Sequence, residues 1–132
     1  MNDGFENRER ARQLIDFSGL EYGMTDIDGI TEYHDRIWVW CEIKMQGKAL
    51  PVGQKLAMER FVDLCKAGGK KCLAIVADHD VIDPAQDVQM RDCAVREVFT
   101  TETRGWTKPK RALTVGDAQR VYIRYWETRI GA

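Results

Sequence analysis

Apolar and polar residues change their period several times along this chain, and each change marks an element. Residues 5 to 16 are rich in charge, with Phe5, Ala11, Leu14 and Ile15 at helical spacing and Asp3 where a helix cap belongs. Ser18-Gly19 ends that helix. From Gly23 to Tyr33 the pattern alternates, Met24, Asp26, Asp28 and Ile30 falling on one side and Thr25, Ile27 and Gly29 on the other, which predicts a strand. His34-Asp35-Arg36 supplies a hairpin turn. The segment from Ile37 to Met45 then opens with the continuous apolar run Ile37-Trp38-Val39-Trp40-Cys41, as expected of a central strand covered on both faces.

Pro51 opens a helix at a permitted early position; Leu56, Phe61, Val62, Leu64 and Cys65 give it a core face, and Gly68-Gly69 stops it. Lys70 to Ala77 is a second buried strand. The order strand, helix, strand implies a right-handed crossover to a parallel neighbour. Residues 88 to 101 alternate loosely and predict a further strand at the sheet edge. Thr114 caps a last helix whose inward positions are Val115, Ala118, Val121, Tyr122 and Tyr125. These elements describe an α/β domain, a central mixed sheet flanked by helices, in the order α-β-β-α-β followed by an edge strand and a C-terminal helix. With no repeat, linker or low-complexity tract, residues 1–132 read as one domain.

Composition narrows the classes of function. At 44% hydrophobic and 31% charged the chain is globular rather than disordered or membrane-embedded, and a net charge of -1 means that any nucleic-acid surface must be local. Cys41, Cys65, Cys72 and Cys93 form no C-x-x-C pair, which argues against zinc, and their apolar neighbourhoods make them small buried hydrophobes. No basic-then-apolar leader and no membrane-length apolar run is present, so a cytoplasmic protein is expected.

The candidate chemistry lies around the first two strands. Glu42 and Lys44, two apart on a strand, leave the same face and share one wall. Asp28 lies upstream across the hairpin, where folding can bring it beside Glu42. Hard oxygen ligands of this kind suit Mg²⁺ or Mn²⁺, and the chemistry they point to is phosphodiester hydrolysis. In it Lys44 would orient the attacking water and offset charge growing on the phosphate. Gln54, in the first turn of the following helix, is placed to hydrogen-bond a bound water or a phosphate. The bland alternatives are a Glu42-Lys44 ion pair, an Asp28-Gly29 turn dipeptide and a surface glutamine. Against the turn, Asp28 is expected inside a strand, where aspartate is disfavoured. Asp26 is an equally acidic neighbour, and Glu6 or Glu9 could lean in from the first helix, although a solvated face is the plainer account of both. Asp78-His79-Asp80 reads as a loop. Arg104-Gly105-Trp106-Thr107-Lys108-Pro109-Lys110-Arg111 carries four positive charges, no acid and one tryptophan. It suits a phosphate backbone and an unstacked base, or equally a solvated loop anchored in the core by Trp106.

Asp28, then Glu42-Ile43-Lys44, then Gln54, in the order helix, strand, strand, helix, strand, resembles the PD-(D/E)XK nuclease superfamily over roughly residues 5 to 80. The pattern is most similar to its small stand-alone nucleases of the virus-type replication-repair kind and to Holliday-junction resolvases. The resemblance implies a restriction-endonuclease-like core and a Mg²⁺-dependent (or Mn²⁺-dependent) DNA nuclease acting on branched, nicked or single-stranded DNA. It assigns Asp28 and Glu42 as metal ligands with the backbone carbonyl of Ile43, Lys44 as the water-positioning lysine, Gln54 as the helix glutamine, and Glu9, or less readily Glu6, as an additional acid. No proline precedes Asp28, a departure from the pattern. DNA is the implied partner, contacted by Arg104, Trp106, Lys108, Lys110 and Arg111, and a homodimer is a further expectation because resolvase-like members pair. Size and isolation as a single domain suggest phage or mobile-element origin, hence the host cytoplasm. A catalytically inactive adaptor or inhibitor on the same fold, or a structural subunit of a phage assembly, stands as the alternative.

Overall fold

The computed structural model describes residues 19–24 and 26–131. The expected helix over residues 5 to 16, with Glu6 and Glu9, lies outside them. Four strands make one mixed sheet in the order β1-β2-β3-β4: β1 is Gly29–Tyr33, β2 Ile37–Met45, β3 Lys71–His79 and β4 Ala94–Thr100. Helix α1, Val52–Ala67, joins β2 to β3, and α2, Val115–Arg129, ends the chain. Strands β2 and β3 are parallel, as a helical connection allows, while β1 and β4 pair antiparallel at the two edges.

The sheet carries a core on each face. Trp40, Cys72, Ala74, Val76 and Phe99 pack with Met58, Val62 and Cys65 of α1. The alternate residues Val39, Cys41, Leu73, Ile75, Ala77 and Val95 pack with Val115 and Ala118 of α2. This is why β2 and β3 read as unbroken apolar runs: both of their faces are covered. All four cysteines are buried, and burial pushes the Cys41 thiol up to about 12. The β1-β2 hairpin turns through His34 and Asp35, both at positive φ, with Arg36 N–H donating to Tyr33 O. Helix α1 ends at Gly68, and Gly69, at φ +75, reverses the chain into β3 in a conformation that side chains disfavour.

Several expectations are corrected. The strand expected from Gly23 begins only at Gly29, so Asp28 stands just before β1 and not inside it. The edge strand expected over residues 88 to 101 is present as β4 but starts only at Ala94, after a 3-10 turn at Met90–Asp92. Met90 folds back against β1, where its Sδ lies 3.1 Å from the position of a Cβ on Gly29, so this glycine makes room for it. On α1 the buried stripe is Gln54, Met58, Val62 and Cys65, at the helical period, whereas Leu56 and Leu64 face solvent. On α2, Val121 and Tyr125 are likewise exposed, the Tyr125 ring lying under the Arg129 guanidinium.

A polar network fastens α2 to the sheet. The Tyr122 hydroxyl reaches Cys72 O at 3.0 Å and Glu102 Oε1 at 2.9 Å, and Lys71 Nζ lies 3.1 Å from Glu102 Oε2. Thr114 caps α2 as expected, its hydroxyl accepting from Asp117 N–H. No helix among the described residues is long and apolar enough to cross a membrane.

Candidate metal and phosphodiester site

Register places Asp28 opposite Glu42, one step beyond the Gly29–Cys41 pair. There the backbone ladder stops and side chains take over. Asp28 N–H donates to Glu42 Oε2 at 3.1 Å, and Ile43 N–H donates to Asp28 Oδ2 at 2.7 Å. One peptide N–H on each side of the hairpin is thus bonded by a carboxylate at the point where β1 begins, which draws the two acids together. Asp26 is exposed and takes no part in this exchange.

Glu42 is 1% exposed. On the face of β2 that meets α1, its Oε2 also accepts from Trp40 Nε1 at 2.7 Å, while Oε1 accepts from Gln54 Nε2 at 2.6 Å. Gln54, itself buried in the first turn of α1, thus holds the carboxylate through its amide nitrogen. Among the described residues every donor to Glu42 is a neutral group. Burial pushes its carboxyl above the ordinary range, the Trp40 and Asp28 hydrogen bonds pulling the other way.

Lys44 follows on the same face, half-buried. Its cross-strand neighbour is Asp78, but the Arg96 guanidinium already occupies that carboxylate, with Nε 2.9 Å from Oδ1. Lys44 makes no ion pair or hydrogen bond among the described residues, so the simple Glu42-Lys44 ion pair does not form. His79, at the end of β3, accepts from Val81 N–H through Nδ1 and lines a cavity of about 260 Å³ with Asp28, Ile43, Val88 and Met90.

The donor chemistry suits a hard cation. Among the described residues no three His, Cys, Asp or Glu side chains converge. The set is two carboxylates and, between them, the Ile43 peptide, whose carbonyl leaves the strand on the same side as the N–H bonded to Asp28. Mg²⁺ is commonly held in this way, through one or two carboxylates with retained waters and substrate phosphate filling the octahedron. Asp28 Oδ1 accepts no hydrogen bond among the described residues, and Glu42 Oε1 accepts one, so both oxygens keep valence for a ligand.

The basic segment lies elsewhere. Bridges at Val98–Thr107 and Ala94–Thr114 hold residues 107 to 114 along the outer edge of β4. Arg104, Lys108, Lys110 and Arg111 are exposed there. Of the two readings left open for Trp106, its contacts are those of a core anchor. Its Nε1 donates to Glu59 Oε2 at 2.8 Å, its ring lies 5.5 Å from that of Phe99, and Lys55 Nζ sits 4.8 Å over it. Trp106→Ala is therefore expected to cost about 2–3 kcal/mol of stability, seen as a lower urea midpoint, by removing core packing and a hydrogen bond.

Trp40 is the site residue that sequence reasoning missed. It counted as one more apolar residue of a buried run, although its position two before Glu42 on the same strand was the available signal. Comparison of the chain with family models, with curated proteins and with solved structures gives no match.

Proposed function

We propose that this protein is a Mg²⁺- or Mn²⁺-dependent DNA nuclease with a restriction-endonuclease-like core of the PD-(D/E)XK kind, acting on branched, nicked or single-stranded DNA in the cytoplasm of its host. The observation that carries the reading is the buried Glu42 carboxylate, which among the described residues is held only by neutral donors, beside a lysine that has no acid partner among them. Burying a carboxylate without a compensating cation is costly, and a site that accepts this cost while orienting both oxygens is suited to receive one.

In this reading Asp28, Glu42 and the Ile43 carbonyl hold the ion. The bound ion supplies Lewis acidity at a phosphoryl oxygen and lowers the pKa of an attacking water. Lys44 orients that water and offsets the charge that grows on the phosphate. Gln54 fixes Glu42, a role different from the contact with water or phosphate expected of it. Lys108, Lys110 and Arg111 lie beyond β4, three strand spacings or roughly 14 Å from β2, whereas Arg104 follows the far end of β4, away from Lys44.

The test is cleavage of labelled linear duplex, single-stranded and four-way-junction DNA with Mg²⁺ or Mn²⁺, against EDTA. Cutting is expected only with metal. Lys44→Ala is expected to slow it by about 10²–10³-fold while leaving the thermal midpoint within a degree or two, because Lys44 holds no structural partner among the described residues. Tight DNA binding without cutting by the wild type overturns the catalytic reading in favour of an adaptor.

A further inference from the structure

Trp40 and Phe61 meet edge to face, ring centroids 5.5 Å apart, so the indole is fixed on its apolar side by α1. Its one polar atom is aimed at Glu42 Oε2 at 2.7 Å. The Asp28 peptide donates to the same oxygen at 3.1 Å. A carboxylate oxygen offers two lone pairs, so these two donors commit Oε2 fully. Among the described residues Oε1 accepts only from Gln54, which leaves it one. The carboxylate thus has one oxygen anchored by the protein and the other left open.

We propose that Trp40 is a positioning residue of the candidate metal site: its indole N–H locks Glu42 so that the carboxylate ligates a divalent cation through Oε1 alone. The assignment rests on the metal reading given above. An apolar side chain at this position keeps the packing against Phe61 but frees one of the two lone pairs of Oε2, leaving Asp28 N–H on the other and letting the carboxylate chelate through both oxygens or turn away. Partners of this kind typically contribute about 10–100-fold to metal affinity.

The experiment follows the indole N–H signals of the four tryptophans by ¹H–¹⁵N correlation NMR, with Trp40→Phe identifying the Trp40 peak. In the metal-free wild type that peak is expected downfield of an unbonded indole. It is expected to move upfield in Glu42→Gln and to shift on titration with Mg²⁺. In parallel, Mn²⁺ binding measured by electron paramagnetic resonance is expected to weaken about tenfold or more in Trp40→Phe, with the other three indole peaks unmoved. An indole peak indifferent to Glu42→Gln overturns the proposal, as does a Trp40→Phe protein that is folded by its amide spectrum and binds Mn²⁺ as tightly as wild type. Should Trp40→Phe not fold, Trp38→Phe, Trp106→Phe and Trp126→Phe assign the other three peaks and so the Trp40 peak by difference, and its responses to Glu42→Gln and to Mg²⁺ decide. If the wild type binds no Mn²⁺ yet the peak responds to Glu42→Gln, the metal reading fails and takes this assignment with it, although the hydrogen bond stands.

Discussion

Glu42→Gln is expected to reduce metal-dependent cleavage by about 10³-fold or more while making the metal-free protein more resistant to unfolding at neutral pH. The two effects share a cause. A glutamine at this position removes the charge that holds a cation, and with it the cost of burying that charge, yet its carbonyl can still accept from Trp40 and Asp28 while Gln54 turns its amide to accept in place of donating. The pH dependence follows. Burial raises the Glu42 carboxyl above its ordinary value of 4.5, so the folded state binds the proton more tightly than the unfolded state. In EDTA the wild type should therefore gain stability as pH falls through that raised value, the gain being complete near the ordinary value, and Glu42→Gln should lack it. Thermal midpoints of both proteins between pH 4 and pH 8 check this. A glutamine protein less stable than wild type at neutral pH would show that the charge is compensated. Alanine is the wrong probe here, since it leaves the buried Trp40 and Gln54 donors without an acceptor and would confound loss of ligand with loss of fold.

Met58→Ala is expected to cost about 2–5 kcal/mol, the range for emptying a large aliphatic site in a core. Met58 is fully buried and lies one turn after Gln54 on the inward stripe of α1, against β2 and β3. Loosening it shifts the seat of the helix that carries Gln54, so metal affinity should weaken along with stability. Urea unfolding gives the first effect and Mn²⁺ titration of the still-folded protein the second. Met58→Leu, which nearly conserves volume, should restore most of both.

The two central strands were legible because covered strands leave no polar face: Ile37 to Cys41 and Cys72 to Ala77 carry their burial in plain view. The placement of Gln54 behind Glu42 was legible for a related reason, since a proline start fixes where the first turn of the helix falls. Helix faces were harder to read. Leu56 and Leu64 are the louder hydrophobes of α1, yet Met58 fills the core, because a flexible thioether side chain suits an irregular gap and hydrophobicity alone does not fix helix rotation. The same ambiguity hid the exposure of Val121 and Tyr125. Trp106 was half legible: the sequence left a core anchor and a stacking surface equally open, and Phe99 and Glu59, distant in the chain, decide for the anchor. The start of β1 was not legible at all, since it falls where two carboxylates accept backbone donors across a hairpin, an arrangement that strand patterning does not encode.

That arrangement ties local melting to chemistry. Because Asp28 and Glu42 terminate the β1-β2 ladder with their own oxygens, fraying at this end of the sheet and disassembly of the candidate site are a single event. Whatever binds the two carboxylates also clasps the hairpin, and whatever peels the hairpin open disarms them.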